Sequence, residues 1–189
     1  FAVYADYIYL DVTERRQFAQ NAHEYLIEQV QVNTNLINPV ERINFIHPVK
    51  ELIWTVVPNQ VVSGSSVSGP ASPGGSFYKT TTSQQNNYKL ILNAQDRFSE
   101  RDITYFTRNQ VWDYHSGFGS VMFPDSVAVY SFALRPEEYQ PSGSCNFSRL
   151  DTAYISRTNT LPVDVIDLYA VNYNVLRIVS GMGGLAYSN

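Results

Sequence analysis

The chain has 189 residues, a single cysteine and a formal net charge of -4, a length that suits one domain or a single β-sandwich. Charged residues make up only 16% and aromatic residues 14%, so a sizeable apolar core is available, and basic residues occur only in isolated pairs such as Arg15-Arg16, which argues against direct contact with nucleic acid. Lone Cys145 excludes an internal disulfide and fits a reducing compartment, no apolar run nears the roughly 18–20 residues that span a bilayer, and no signal peptide is visible.

The chain opens on Phe1-Ala2-Val3-Tyr4, already strand-like and without an initiator Met. It reads as a fragment whose natural start lies upstream, with a processed N-terminus as the alternative. The first expected strand is Ala2–Asp11. Asp11 then caps a short helix over Glu14–Asn21, with Glu14 three residues on as in a capping box. His23–Thr34 is the second strand and Ile43–Val57 the third, with a bulge or an edge expected at His47-Pro48, where the proline removes a ladder donor. Pro58–Asn87 is mostly Ser, Gly, Pro, Thr, Asn and Gln, with no periodic apolar set, and reads as a long surface loop, ordered or mobile.

Tyr88–Ala94 is the fourth strand and Asp96–Asp102 a charged turn. Thr104–Asp113 is the fifth, although Ile103–Asn109 suits a helical turn as well. Gly117–Asp125 is a turn. Ser126–Leu134 is the sixth strand, Cys145–Arg157 the seventh, and Ile166–Val179 the eighth. Long order near a C-terminus must be repaid by pairing, at roughly 1–2 kcal/mol per residue fixed, so the last segment is an integral sheet strand. Eight strands, one short helix and no helical crossovers predict an all-β fold, an eight-stranded antiparallel jelly-roll sandwich. A seven-stranded immunoglobulin-like sandwich fits about 100 residues, far fewer than are present.

Motifs for chemistry are weak. His23-Glu24-Tyr25-Leu26-Ile27 begins like HExxH but places Ile27 where the second zinc ligand belongs. His23, His47 and His115 never pair as HxH, so no metal site is expected. Gly181-Met182-Gly183-Gly184-Leu185-Ala186 matches a dinucleotide fingerprint formally, but no helix or acidic partner follows, and the glycines are expected to allow positive φ or close packing. Cys145 reads as a buried structural thiol, and Asn146-Phe147-Ser148 as a glycosylation sequon at a strand start. Trp54 and Trp112 read as core or subunit-contact residues, with a sugar-binding face as the rival. Glu51 and Arg149-Leu150-Asp151 are polar positions that pair across strands or subunits, or face solvent. No catalytic, cofactor-binding or metal-binding residue is assigned.

With the strands placed, several segments resemble the major capsid protein of nucleo-cytoplasmic large DNA viruses, the iridovirus, phycodnavirus and mimivirus-like group. They are Asp6–Asp11 (DYIYLD), Glu14–Ala19 (ERRQFA), His23–Gln31 (HEYLIEQVQ), His47–Trp54 (HPVKELIW), Asp96–Phe98, Tyr130–Glu138 (YSFALRPEE), Gln140–Asp151 (QPSGSCNFSRLD) and Tyr169–Asn189. The resemblance covers most of the chain outside Pro58–Asn87. It implies the C-terminal jelly roll of a double jelly roll, with residues 1–189 one domain and the N-terminal jelly roll absent. It further implies a homotrimer of pseudo-hexagonal outline, a capsomer that tiles an icosahedral shell beside neighbouring capsomers and minor or penton proteins. The location implied is the virion, assembled in host cytoplasm, with no enzyme activity and no cofactor, and Pro58–Asn87 resembles an outward tower loop. A jelly-roll carbohydrate-binding module and a cupin-type metalloenzyme are the rivals. Half of a double barrel is expected to expose apolar surface and to associate.

Overall fold

The computed structural model describes residues 2–58, 87–116, 127–158 and 164–187. They form α1 (Val12–Gln20), β1 (His23–Leu36), β2 (Val40–Arg42), β3 (Pro48–Pro58), β4 (Asn87–Leu92), β5 (Gln95–Asp96), β6 (Arg101–Asp102), a π-turn (Tyr105–Asn109) running into α2 (Gln110–Tyr114), β7 (Ala128–Ser131), β8 (Cys145–Asn146), a 3-10 turn (Phe147–Arg149), β9 (Ala153–Thr158), β10 (Asp164–Val179) and β11 (Met182–Leu185). One antiparallel sheet runs β1-β10-β3-β7, with β11 on β10 and β8 on β3; the other runs β2-β9-β4-β5, with β6 on β4. The two paths of four strands are those of a jelly-roll sandwich. Contacts divide the chain into two compact units, Phe1–Glu28 with Tyr173–Asn189, and Gln29–Asn172.

The core lies in the second unit and follows from register. Leu52 pairs with Ala170 and Trp54 with Leu168 in one sheet, and Leu90 pairs with Ile155 and Leu92 with Ala153 in the other. Side chains alternate faces along a strand, so each pairing sends both members inward together. Leu52, Trp54, Leu90, Ala153, Ile155, Leu168 and Ala170 accordingly belong to one cluster and are nearly inaccessible to water. Each large apolar side chain so buried contributes about 1.5–3 kcal/mol. The Trp54 ring lies 5.6 Å from Tyr88 and 5.0 Å from Phe106, tilted in both cases.

The helix expected after Asp11 is present with its reciprocal cap. Glu14 N donates to Asp11 Oδ1 at 2.8 Å and Asp11 N donates to Glu14 Oε2 at 3.3 Å. At the C-terminus Val179 pairs with Met182 across Ser180 (φ 53°) and Gly181 (φ 77°). Two central residues with positive φ make a type I′ hairpin turn, which is the use of the Gly181 conformation.

Six of the eight expected strands are found, as β1, β3, β4, β7, the interrupted β8 and β9, and β10. Ala2–Asp11 is not a strand: Tyr4, Tyr7, Ile8 and Tyr9 are exposed and no described strand pairs with them. Strand-like residues form a strand only where a neighbour supplies hydrogen bonds. Thr104–Asp113 is helical, so the alternative of a helical turn over Ile103–Asn109 holds in place of the strand, and the helix runs on to Tyr114. Ile103, Phe106, Thr107 and Gln110 are the buried positions, a helical spacing in which two of the four are polar. The fold therefore carries more than the one helix expected. Cys145–Arg157 is broken by the 3-10 turn, in which Asn146 Oδ1 accepts from Ser148 N at 3.1 Å.

The expected irregularity beside Pro48 sits two residues on. Ladder partners step from Glu51↔Val171 to Val49↔Asn172, leaving Lys50 as the extra residue of a bulge. Lys50 O accepts from both Phe132 N (2.9 Å) and Ala133 N (3.2 Å). Its ammonium donates to Pro136 O at 2.6 Å although the residue is 4% exposed. The loop 58–87 beyond its first and last residues, and the turn 117–125, lie outside the described residues.

Candidate functional site

Within the second unit, three elements bring ionisable groups together. Glu51 points from β3 toward the residue that ends α2, His115, and the turn after β7 supplies Glu137. His115 Nε2 lies 3.0 Å from Glu51 Oε2 and its Nδ1 3.5 Å from Glu137 Oε1. The Glu51 contact misses hydrogen-bond geometry, so it is an ion pair between buried atoms that have no hydrogen-bond partner among the described residues. The close Glu51 carboxylate holds the His115 pKa above its ordinary 6.5 against the opposing effect of burial, and Glu137 adds to the rise. Ser116 donates to Glu137 from N (2.9 Å) and from Oγ (2.6 Å), which keeps that carboxyl below its ordinary pKa.

Charge compensation is what this cluster can supply chemically. Its carboxylates are spent on His115 and Ser116, and among the described residues no group of three His, Cys, Asp or Glu side chains is arranged to hold a metal ion. Nothing local in the sequence pairs Glu51 with His115. The apolar run around Glu51 is the one hint that its charge needs a distant partner.

Other residues singled out by sequence fall apart in space. His23 Nε2 lies 3.3 Å from Gln17 O and its ring packs on Phe18 at 4.7 Å. His47 is buried with φ 67°, and its N donates to Ser148 Oγ at 2.7 Å. Burial pushes the Cys145 thiol pKa up, against the charge of Arg97, as befits an unreactive thiol. Asn146, of the sequon, caps the 3-10 turn. Trp54 is 2% exposed and unavailable to a sugar, whereas Trp112 on α2 is 68% exposed. Arg149 ends the 3-10 turn and Asp151 follows it, both exposed rather than in a strand.

Large apolar side chains stand exposed in each unit. Tyr4, Tyr7, Ile8, Tyr9 and Met182 do so in the first, and Val30, Val32, Leu134 and Tyr139 in the second. On β1 the alternation is inverted, with Val30 and Val32 outward and Gln29 and Gln31 half-buried. Gln31 Nε2 donates to Ile46 O (2.7 Å) and Asn172 Oδ1 (2.9 Å), while its Oε1 accepts from Ile46 N (3.1 Å). On this strand polar residues thus pair inward while the two valines face out.

A family model described as large eukaryotic DNA virus major capsid protein matches residues 14–184. The major capsid protein of Pyramimonas orientalis virus is 42% identical over 208 aligned residues, which cover 100% of this chain and 49% of that protein. For the major capsid protein of Paramecium bursaria Chlorella virus 1 the identity is 38% over 239 residues, covering 100% and 54%. Among solved structures, a chain of the quasi-atomic model of the PBCV-1 virus capsid matches with a TM-score of 0.73 at 36% identity, over 97% of this chain and 56% of that one. The Faustovirus major capsid protein, at 17% identity and a TM-score of 0.52, shares the fold. The chain spans about half the length of the curated relatives it matches.

Proposed function

The chain belongs to the large eukaryotic DNA virus major capsid protein family, and from that premise we propose that it is one jelly-roll domain, residues 1–189, of a two-sandwich capsid subunit with a structural, non-catalytic role. Three subunits form a homotrimeric capsomer of pseudo-hexagonal outline, because six similar sandwiches then surround one axis. Capsomers tile an icosahedral shell, contact minor and penton proteins, and reside in the virion after assembly in host cytoplasm. The observation that carries this reading is the family match over residues 14–184. The outward-facing apolar residues of β1 support it, since closed symmetry lets repeated modest contacts hold a shell.

In this reading residues 58–87 project from the outer surface of the shell, and the mild acidity of the chain leaves the genome to other proteins. Antibodies raised against a peptide from 58–87 are expected to decorate intact virions. Labelling only of disrupted particles would place the loop inside, and labelling of neither would contradict a shell location.

A further inference from the structure

Ala2–Asp11 (AVYADYIYLD) has the composition of a strand and none of its bonds. Val, Tyr and Ile favour pleated backbone, and no Pro or Gly interrupts the segment. Residues 2–10 are all exposed, with Val3 at 93%, Tyr4 at 94% and Tyr9 at 92%. None of them forms a hydrogen bond, ion pair or ring contact with any described residue. Open backbone donors and acceptors between apolar side chains are a template for pairing. Laid out as a strand, the segment puts Val3, Tyr7 and Tyr9 on one side and Tyr4, Ile8 and Leu10 on the other. A strand with one wet face alternates apolar with polar residues, whereas apolar residues on both sides mark a strand that is covered on both.

The segment stops at a fixed point. Asp11 is extended (φ -70°, ψ 176°) and caps α1, so a ladder cannot run on past it. Within the first unit, α1 is held by Gly181 N, which donates to Phe18 O at 3.2 Å, and by the His23 ring against Phe18. The break in structure coincides with a break in similarity. The family model matches residues 14–184 and leaves 2–11 outside. The alignments with the Pyramimonas and Chlorella virus relatives cover 100% of this chain, 2–11 included. They cover only 49% and 54% of those relatives, so about as much chain again lies beyond the part that this one matches.

We infer that Ala2–Asp11 is an arm that this domain lends to the other half of the subunit, where it pairs by main-chain hydrogen bonds as one strand of the second sandwich and is covered on both faces. The inference rests on the two-sandwich reading given above. Strand addition takes its affinity from main-chain bonds and its register from alternate side chains, and the arm supplies both. A sheet in the same polypeptide sees the arm at an effective concentration of about millimolar, which favours it over the sheet of a second copy. The capped start of α1 is then the joint at which the chain passes from one sandwich to the other.

The test is hydrogen exchange, read by mass spectrometry, on the full-length protein that carries this chain, with a synthetic peptide of residues 2–11 as the unprotected reference. Amides of residues 3–10 are expected to exchange at least about 1,000-fold more slowly in the protein, as in a core strand. A photoreactive residue in place of Tyr7 is expected to cross-link to sequence outside residues 1–189 without changing the subunit mass on a denaturing gel. Exchange is read on the unsubstituted protein, so that result does not depend on how the variant folds. Exchange at the rate of the peptide, a cross-link into residues 14–189, or a cross-link that doubles the mass by joining a second copy overturns the inference. The same exchange map judges the two-sandwich reading separately. That reading survives an open 2–11 if the sequence outside residues 1–189 shows several protected segments of strand length. It falls, and the inference with it, if that sequence shows none.

Discussion

Gln31 sits at an inward position of β1 and replaces a strand ladder with one side chain, satisfying Ile46 N, Ile46 O and Asn172 Oδ1. Asn172 is fully buried. Gln31→Leu is therefore expected to destabilise by about 1–3 kcal/mol, read as a lowered denaturant midpoint, because it removes three part-buried hydrogen bonds at once. Gly143 has φ 147°, and a Cβ there would lie 2.8 Å from Phe132 O. Gly143→Ala should cost about 1–3 kcal/mol; an unchanged midpoint would show that this turn moves aside. His115→Leu leaves Glu51 buried beside no cation and should cost about 3 kcal/mol. Because the folded His115 pKa is raised, its stabilisation is fully present below the ordinary 6.5 and is lost as pH rises through the folded value. Glu137, with its pKa lowered, contributes in the opposite sense, and that stability fades as pH falls through its folded value. Thermal melts against pH should thus show a loss on the alkaline side of 6.5 that His115→Leu removes.

At the scale of elements, readable segments were those whose cause is local. The Asp11 and Glu14 cap, the alternation in β7, and Gly181 at the closing hairpin each need only a few neighbouring residues. The π-turn and α2 were obscured because Thr107 and Gln110 occupy buried helical positions. Gln110 is polar for a reason outside the helix: its Oε1 accepts from Ser131 N at 3.2 Å on β7, the end strand of its sheet. A side chain that caps an open strand edge guards against stray pairing. Glu51 with His115, and Lys50 with Pro136, likewise join residues far apart in sequence, so no local pattern announces them. The β4–β5 hairpin closes through Asn93 (φ 50°) and Ala94 (φ 60°). Asn93 suits that conformation and its Oδ1 accepts from Asp151 N at 2.9 Å, but Ala94 does not suit it. Ala94→Gly should raise stability by up to about 1 kcal/mol, measured as a higher melting temperature. A decrease would mean that the Ala94 methyl packs usefully.

For the whole molecule, the two jelly-roll sheets were legible from strand number and missing crossovers, and the capsid family from segments spread along the chain. What those segments meet was not legible. Ala2–Asp11 carries strand residues without a strand partner, and β1 turns Val30 and Val32 to water. Both make sense in a larger assembly, where other surfaces cover them. The most direct test is the mass and outline of the full-length protein that carries this chain, by light scattering and negative-stain imaging. The account predicts trimers of hexagonal outline. A stable monomer at high concentration would contradict it.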